Sequence, residues 1–205
     1  MGLLDGLREL LGLRAEADAG RDADPEDLFE LSTGYVTMAT ELDFEPTGGA
    51  GLCFGSVDST DFADAVDEVA DVLAAGEAET GTTAAFREDA HGYSWVVFED
   101  DDFEDLVTSV HFAADTFLER GYGSRLLAAA FGFARDGGSG DGERAYWVYS
   151  FRRGAYYPFA PRGERERDTR LEFKLEAVMA GELTVADEEY WYPLWPDAPG
   201  GDPWS

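Results

Sequence analysis

The chain has 205 residues and carries 44 Asp plus Glu against 15 Lys plus Arg, a formal net charge of −29. Apolar residues make up 44% and aromatic residues 14%, enough for a sizeable core that needs neither disulfide nor metal at this length. The acidity argues against nucleic-acid binding, which rests on Lys and Arg contacts to phosphate. The single cysteine, Cys53, excludes an intramolecular disulfide and a Cys-rich zinc site.

High net charge is one signature of disorder, but the 14 Phe, 9 Tyr and 5 Trp are spread along periodic segments. Dense carboxylates on the polar faces, with Lys174 the single lysine, suggest a cytosol of very high salt. There the Debye length falls to about 3 Å and acid–acid repulsion is largely screened. No secretory core and no run of 18 apolar residues is present, so a cytoplasmic protein without a membrane span is expected.

In chain order, Met1–Arg14 reads as a short helix with Leu3, Leu4, Leu7, Leu10 and Leu11 on one stripe. Its charges sum to zero, so membrane-surface contact is weakly supported. An acidic linker follows to residue 24, and residues 25–205 read as one domain opened by a short helix, PEDLFELS. Tyr35–Leu42 and Gly51–Val57 are expected as strands around the turn EPTGGA, followed by a helix over Asp61–Ala75 capped by Thr60. Thr82–Arg87 and Tyr93–Glu99 form a second strand pair, and Asp102 caps a helix over Phe103–Arg120 that Gly121 ends. Ser124–Arg135 and Arg144–Arg153 form a third pair, followed by a helix over Arg167–Leu183. Repeated ββα units of this kind predict an α+β domain: a mainly antiparallel sheet, helices packed on one face, and the N-terminal amphipathic helix in addition. The aromatic, Pro-rich tail Tyr190–Trp204 is expected to fold back as an extended segment.

Candidate chemistry is sparse. His91 and His111 lack the neighbours of a metal site, Cys53 sits in an apolar strand, and no nucleophile elbow or nucleotide-binding glycine loop occurs. No cofactor is expected. The run Glu99–Asp105 reads as a strand end and helix cap, where negative charge favours the helix dipole.

The informative stretch is Arg152–Lys174, which holds seven of the 15 basic residues against four acids. Arg152, Arg153 and Arg162 interleave there with Tyr156, Tyr157 and Phe159, while Pro158 and Pro161 hold the backbone extended. Arg and Tyr are common at interface hot spots, so these six residues are the candidate binding surface. The competing reading is internal: arginines paired with the chain's own acids, and rings closing the core.

The opening MGLLDGL, the block GYSWVVFE with DFEDLVTSVH, the block RRGAYYPFAPRGERERD and the closing WYPLW together resemble the PspA-associated proteins called PspAB, and the acidity matches the haloarchaeal members. The resemblance implies a role beside PspA, a coiled-coil, membrane-remodelling scaffold of the phage-shock type of stress response. It carries over no catalytic residue. The expectation is a non-enzymatic cytosolic adaptor that binds a PspA-like protein or a membrane-stress protease through the Arg/Tyr loop. The alternatives are a sensor in which Arg152 or Arg153 with Tyr156 and Tyr157 clamps a small anion, and an enzyme with a site around His91, Tyr93 and the acidic run.

Overall fold

A computed structural model describes residues 23–89, 91–136, 142–163, 165–196 and 201–204. The helix expected at Met1–Arg14 lies outside the described residues. After a 3-10 turn at Pro25–Phe29 the order is α1 (Glu30–Leu42), β1 (Glu45–Phe54), α2 (Thr60–Thr80), β2 (Thr83–Glu88), β3 (Ser94–Glu99), α3 (Phe103–Glu119), β4 (Leu126–Arg135) and β5 (Glu143–Ser150). Then come β6 (Ala155–Phe159), the short hairpin β7 (Pro161–Arg162) and β8 (Glu166–Arg167), and α4 (Thr169–Met179).

Six strands form one antiparallel sheet in the order β2-β3-β1-β4-β5-β6. Successive strand residues point to opposite faces, and here both faces are buried. Leu52, Phe54, Val96, Phe98, Phe131, Phe133, Trp147 and Tyr149 pack under the helices. Cys53, Trp95, Val97, Ala130, Tyr146 and Val148 face the other way and are covered by Trp191 and Trp204 of the tail. The expected α+β architecture is therefore present, with the helices on one face, and the described part of the tail does fold back.

The helices run across their face in the order α2, α3, α1, α4, as their mutual contacts show. Their ends follow local chemistry. The Ser59 hydroxyl accepts from Phe62 N–H at 3.2 Å, one residue before the expected cap. Asp102 accepts from the N–H groups of Glu104 and Asp105, and Asp168 from that of Leu171 at 3.0 Å. Gly81, at φ 85°, ends α2 in the left-handed conformation that favours glycine.

Two expectations are corrected. Tyr35–Leu42, expected as a strand, is helical: Leu31, Gly34, Met38 and Leu42 are buried at a spacing of three to four residues, against the β-bias of the Tyr-Val-Thr run. The expected turn EPTGGA is instead the first half of β1, which is a central strand rather than half of a hairpin. Its register against β4 shifts between Pro46 and Ala50, so Thr47–Gly49 bulge, with Gly48 at φ 76°. The first unit is thus αβα, and ββα order holds only for β2-β3-α3 and, with β6 added, for the β4–α4 stretch.

Candidate interaction surface

The Arg/Tyr stretch is divided by the fold. Arg152 and Arg153 lie in the turn after β5, where the N–H groups of Arg153 and Gly154 both donate to Ser150 O. Residues 155–159, expected as a loop, form the edge strand β6, about 15 Å long at the usual rise per residue. Arg162 follows at its far end. The backbones of Arg152 and Arg162 therefore sit at opposite ends of one strand.

The three rings between them are core residues, which corrects their expected place on a docking loop. Tyr156 points to the helix face, fully buried, and its hydroxyl donates to Leu28 O at 3.0 Å. Burial holds that hydroxyl well above its ordinary pKa, with Glu30 adding to the shift. Tyr157 and Phe159 point to the tail face. Burial pushes the Tyr157 hydroxyl up as well, against an opposing pull from Arg167. Phe159 packs edge-on against Trp195. Arg153 folds over the Tyr190 ring at 3.6 Å. Arg162 is exposed, with Nη1 3.9 Å from Asp168. An anion clamp made of arginine and the Tyr156 and Tyr157 hydroxyls is not assembled.

The surface the fold does present lies further along the same basic stretch. Arg170, Phe173, Lys174 and Ala177 occur at i, i+3, i+4 and i+7 and are all exposed, so they form one outward stripe on α4. Phe173 is 43% exposed. Its ring contacts Trp191 at 5.6 Å, and the next residue, Tyr192, is 37% exposed. Arg162 and the exposed Arg165 flank the N-terminal end of this stripe on the β7–β8 hairpin.

A buried ion pair fixes the stripe to the body. Arg167 Nε donates to both oxygens of Glu172, at 2.9 and 3.1 Å, and its Nη1 donates to Trp191 O at 2.7 Å. Glu172, 1% exposed, also accepts from Ala160 N–H at 2.8 Å. The Arg167–Glu172 pair thus ties the end of β6, the hairpin, α4 and the tail together. Sequence reasoning counted Arg165, Arg170 and Lys174 but missed Phe173 and Tyr192 as their companions. The signal was available in the helical spacing of 170, 173, 174 and 177.

Elsewhere the polar groups serve the scaffold. A cleft of about 540 Å³ opens beside the β1 bulge and is lined by Thr47, Gly48, Asp100, Asp101, Arg144 and Asp202. Two of its acids are engaged locally: Asp100 accepts from Thr82 Oγ1 at 2.5 Å and from Asp102 N–H at 2.8 Å, and Asp202 accepts from Arg144 and Tyr146. His91 and the acidic run lie at opposite ends of β3. Asp89 organises the turn before that strand, accepting from the His91 and Tyr93 N–H groups and from Trp95 Nε1. His111 is buried on α3 with Nε2 3.4 Å from Glu26. Burial pushes the Cys53 thiol far up, as expected of an inert core thiol. Among the described residues no three metal-ligating side chains converge, and no helix is long and apolar enough to cross a membrane.

The chain matches no curated protein and no solved structure. A family model described as PspA associated protein B matches residues 1–204, nearly the whole chain. With that coverage, the protein belongs to the PspAB family and its role is linked to PspA.

Proposed function

We propose that this protein is a non-enzymatic cytosolic adaptor in a PspA-type membrane-stress response, docking an acidic surface of a PspA-like partner on the outward stripe of α4 and the adjoining hairpin. The observation that carries the reading is the exposed set Arg170, Phe173 and Lys174 on a chain of net charge −29. Cationic side chains around a rigid aromatic anchor are hot-spot chemistry. A surface of that sign is also where an acidic partner meets least repulsion. At molar salt, long-range steering is screened out, so affinity must come from direct contact, which is where an exposed Phe contributes.

The test is affinity capture of a purified PspA-like protein at molar salt by the wild type and by Phe173→Ala/Lys174→Glu. Lys174 is exposed and Phe173 gives up one ring contact to Trp191, so melting falls by only a few degrees and the fold is kept, while affinity falls at least about tenfold, the ordinary cost of losing a hot-spot pair. Arg152→Ala, at the other end of β6, leaves capture intact. Equal capture by wild type and double variant sinks the assignment of this surface.

A further inference from the structure

The outward faces of the helices differ in charge. The exposed residues of α2 include Asp61, Asp64, Asp67, Asp71, Glu77 and Glu79, whereas those of α4 include Arg170, Phe173 and Lys174. An acidic segment in search of a contact is repelled by the first face and attracted by the second. The exposed Phe173, Ala177 and Tyr192 offer apolar area between and beside the cations.

Such a segment belongs to the chain itself. Residues 15–22 (AEADAGRD) carry Glu16, Asp18 and Asp22 against Arg21. Ahead of them, Met1–Arg14 has balanced charge and leucines at 3, 4, 7, 10 and 11, a spacing that predicts one apolar stripe. Acid and leucine in that order complement the cations and rings of the α4 surface.

The place where this segment joins the fold suits the contact. Ala23 packs on the helix-face core, and Asp24 N–H donates to the Tyr149 hydroxyl at 3.3 Å. Shortly after, Glu30 accepts from the Thr184 N–H and hydroxyl at 2.7 and 3.0 Å. Thr184 follows closely on Met179, the last residue of α4, so the chain enters the fold beside the C-terminal end of that helix. Residues 15–22 extended span about 26 Å, more than the full length of α4, about 16 Å. The way there is not opposed by charge: α1, which packs on α4, has no charged residue between Glu30 and Glu41.

We infer that residues 1–22 pack over the α4 stripe as an intramolecular cover, with Leu7 and Leu10 against Phe173 and Tyr192, and Glu16, Asp18 and Asp22 against Arg170 and Lys174. A partner must displace this cover to dock. That consequence rests on the function proposed above; the contact itself does not. Tethering makes a weak contact sufficient. A short linker gives an effective concentration on the order of 1 mM, so a contact with a dissociation constant of about 0.1 mM is closed about nine-tenths of the time.

The experiment is paramagnetic broadening in the full-length protein at molar salt, with a nitroxide on Ala17→Cys. Cys53 is buried, so the label goes to the introduced thiol. The expected result is amide broadening centred on Arg170–Ala177, lost in Leu7→Ser/Leu10→Ser, which leaves the charge unchanged, and in Phe173→Ala/Lys174→Glu. Capture of a purified PspA-like protein by Leu7→Ser/Leu10→Ser should be about tenfold tighter than by the wild type, because the closed fraction no longer competes. Broadening spread evenly or centred elsewhere overturns the inference, and so does equal capture by wild type and leucine variant. Broadening between separate copies, seen on mixing spin-labelled with isotope-labelled protein, overturns it too. Absence of capture by every form sinks the docking reading alone, since the label reports the contact with no partner present.

Discussion

The two faces of the sheet are buried by different means, and Tyr146 and Trp147, neighbours in sequence, stand on opposite sides of the difference. The helix face is covered by four helices, three of them with side-chain N-caps, whose aliphatic and phenyl side chains pack against the strands. The tail face is covered by a segment with little regular structure that attaches through rings: Trp204 lies against Tyr146 and Trp95, Trp195 against Phe159, and Trp191 against Phe173. Two polar anchors add to the rings: Trp191 Nε1 donates to Ala186 O and the Tyr146 hydroxyl donates to Asp202. A helix satisfies its own backbone and need bury only one stripe, whereas an extended tail must be held residue by residue. The helix face should therefore carry most of the stability, and the tail face should respond to single contacts.

The largest effect is expected at Trp147. Its side chain is fully buried, with Nε1 3.4 Å from Met38 Sδ. Trp147→Ala should cost about 3–5 kcal/mol, a melting shift on the order of 10 °C for a chain of this size. Thermal melting followed by far-UV circular dichroism in molar salt measures it. A shift no larger than that of the tail-face variants would erase the distinction between the faces.

A coupling measurement sharpens the comparison on the tail side. A Cβ on Gly51 would lie 2.8 Å from Trp204 and 2.9 Å from Trp95, so the absent side chain is what seats the indole. Gly51→Ala alone should cost about 1–3 kcal/mol by overpacking. In a Trp204→Ala background the same change should cost less, because half of the collision is gone, leaving a coupling of about 1 kcal/mol. Strict additivity would mean that Trp204 is not seated on Gly51 in solution.

The same contrast explains what was legible in the sequence. The helix-face elements were readable where burial has a period: Phe103–Glu119, with its Asp102 cap, matches the expected helix almost to the residue. Tyr35–Leu42 was not, because the half-buried Tyr35 and the outward β-branched Val36, Thr37 and Thr40 mask a buried set at helical spacing. β1 was misplaced because Pro46 and the glycines Gly48 and Gly49 read as a turn, while tertiary pairing on both sides turns them into a bulged strand. The candidate surface was half legible. The excess of arginine pointed to the basic stretch that includes α4, but composition does not tell which ring points into a core. Tyr156, Tyr157 and Phe159 are consecutive or alternate residues on a strand buried on both faces, a state that looks the same in sequence as an aromatic loop.

The smallest effect is expected one residue from the largest. Tyr146→Phe removes the hydroxyl that donates to Asp202 at 2.8 Å, while Asp202 keeps Arg144 at 3.2 Å, so the loss at neutral pH should be about 1 kcal/mol. Its pH dependence makes it diagnostic. Burial first, and then the Asp202 carboxylate, holds the Tyr146 hydroxyl well above its ordinary 10.0. A group whose folded pKa is raised contributes its stability below the unfolded value and loses it as pH rises beyond that value, because the unfolded chain sheds the proton first. The wild type is therefore penalised above pH 10.0, and the phenylalanine variant, with no proton there to lose, is not. The other buried phenols are common to both proteins and cancel in the difference. The gap between the two melting curves should shrink through that range and then change sign. A gap that stays constant into strong alkali would mean that the Tyr146 hydroxyl already titrates as it does in the unfolded chain, and that the tail stands off this face of the sheet.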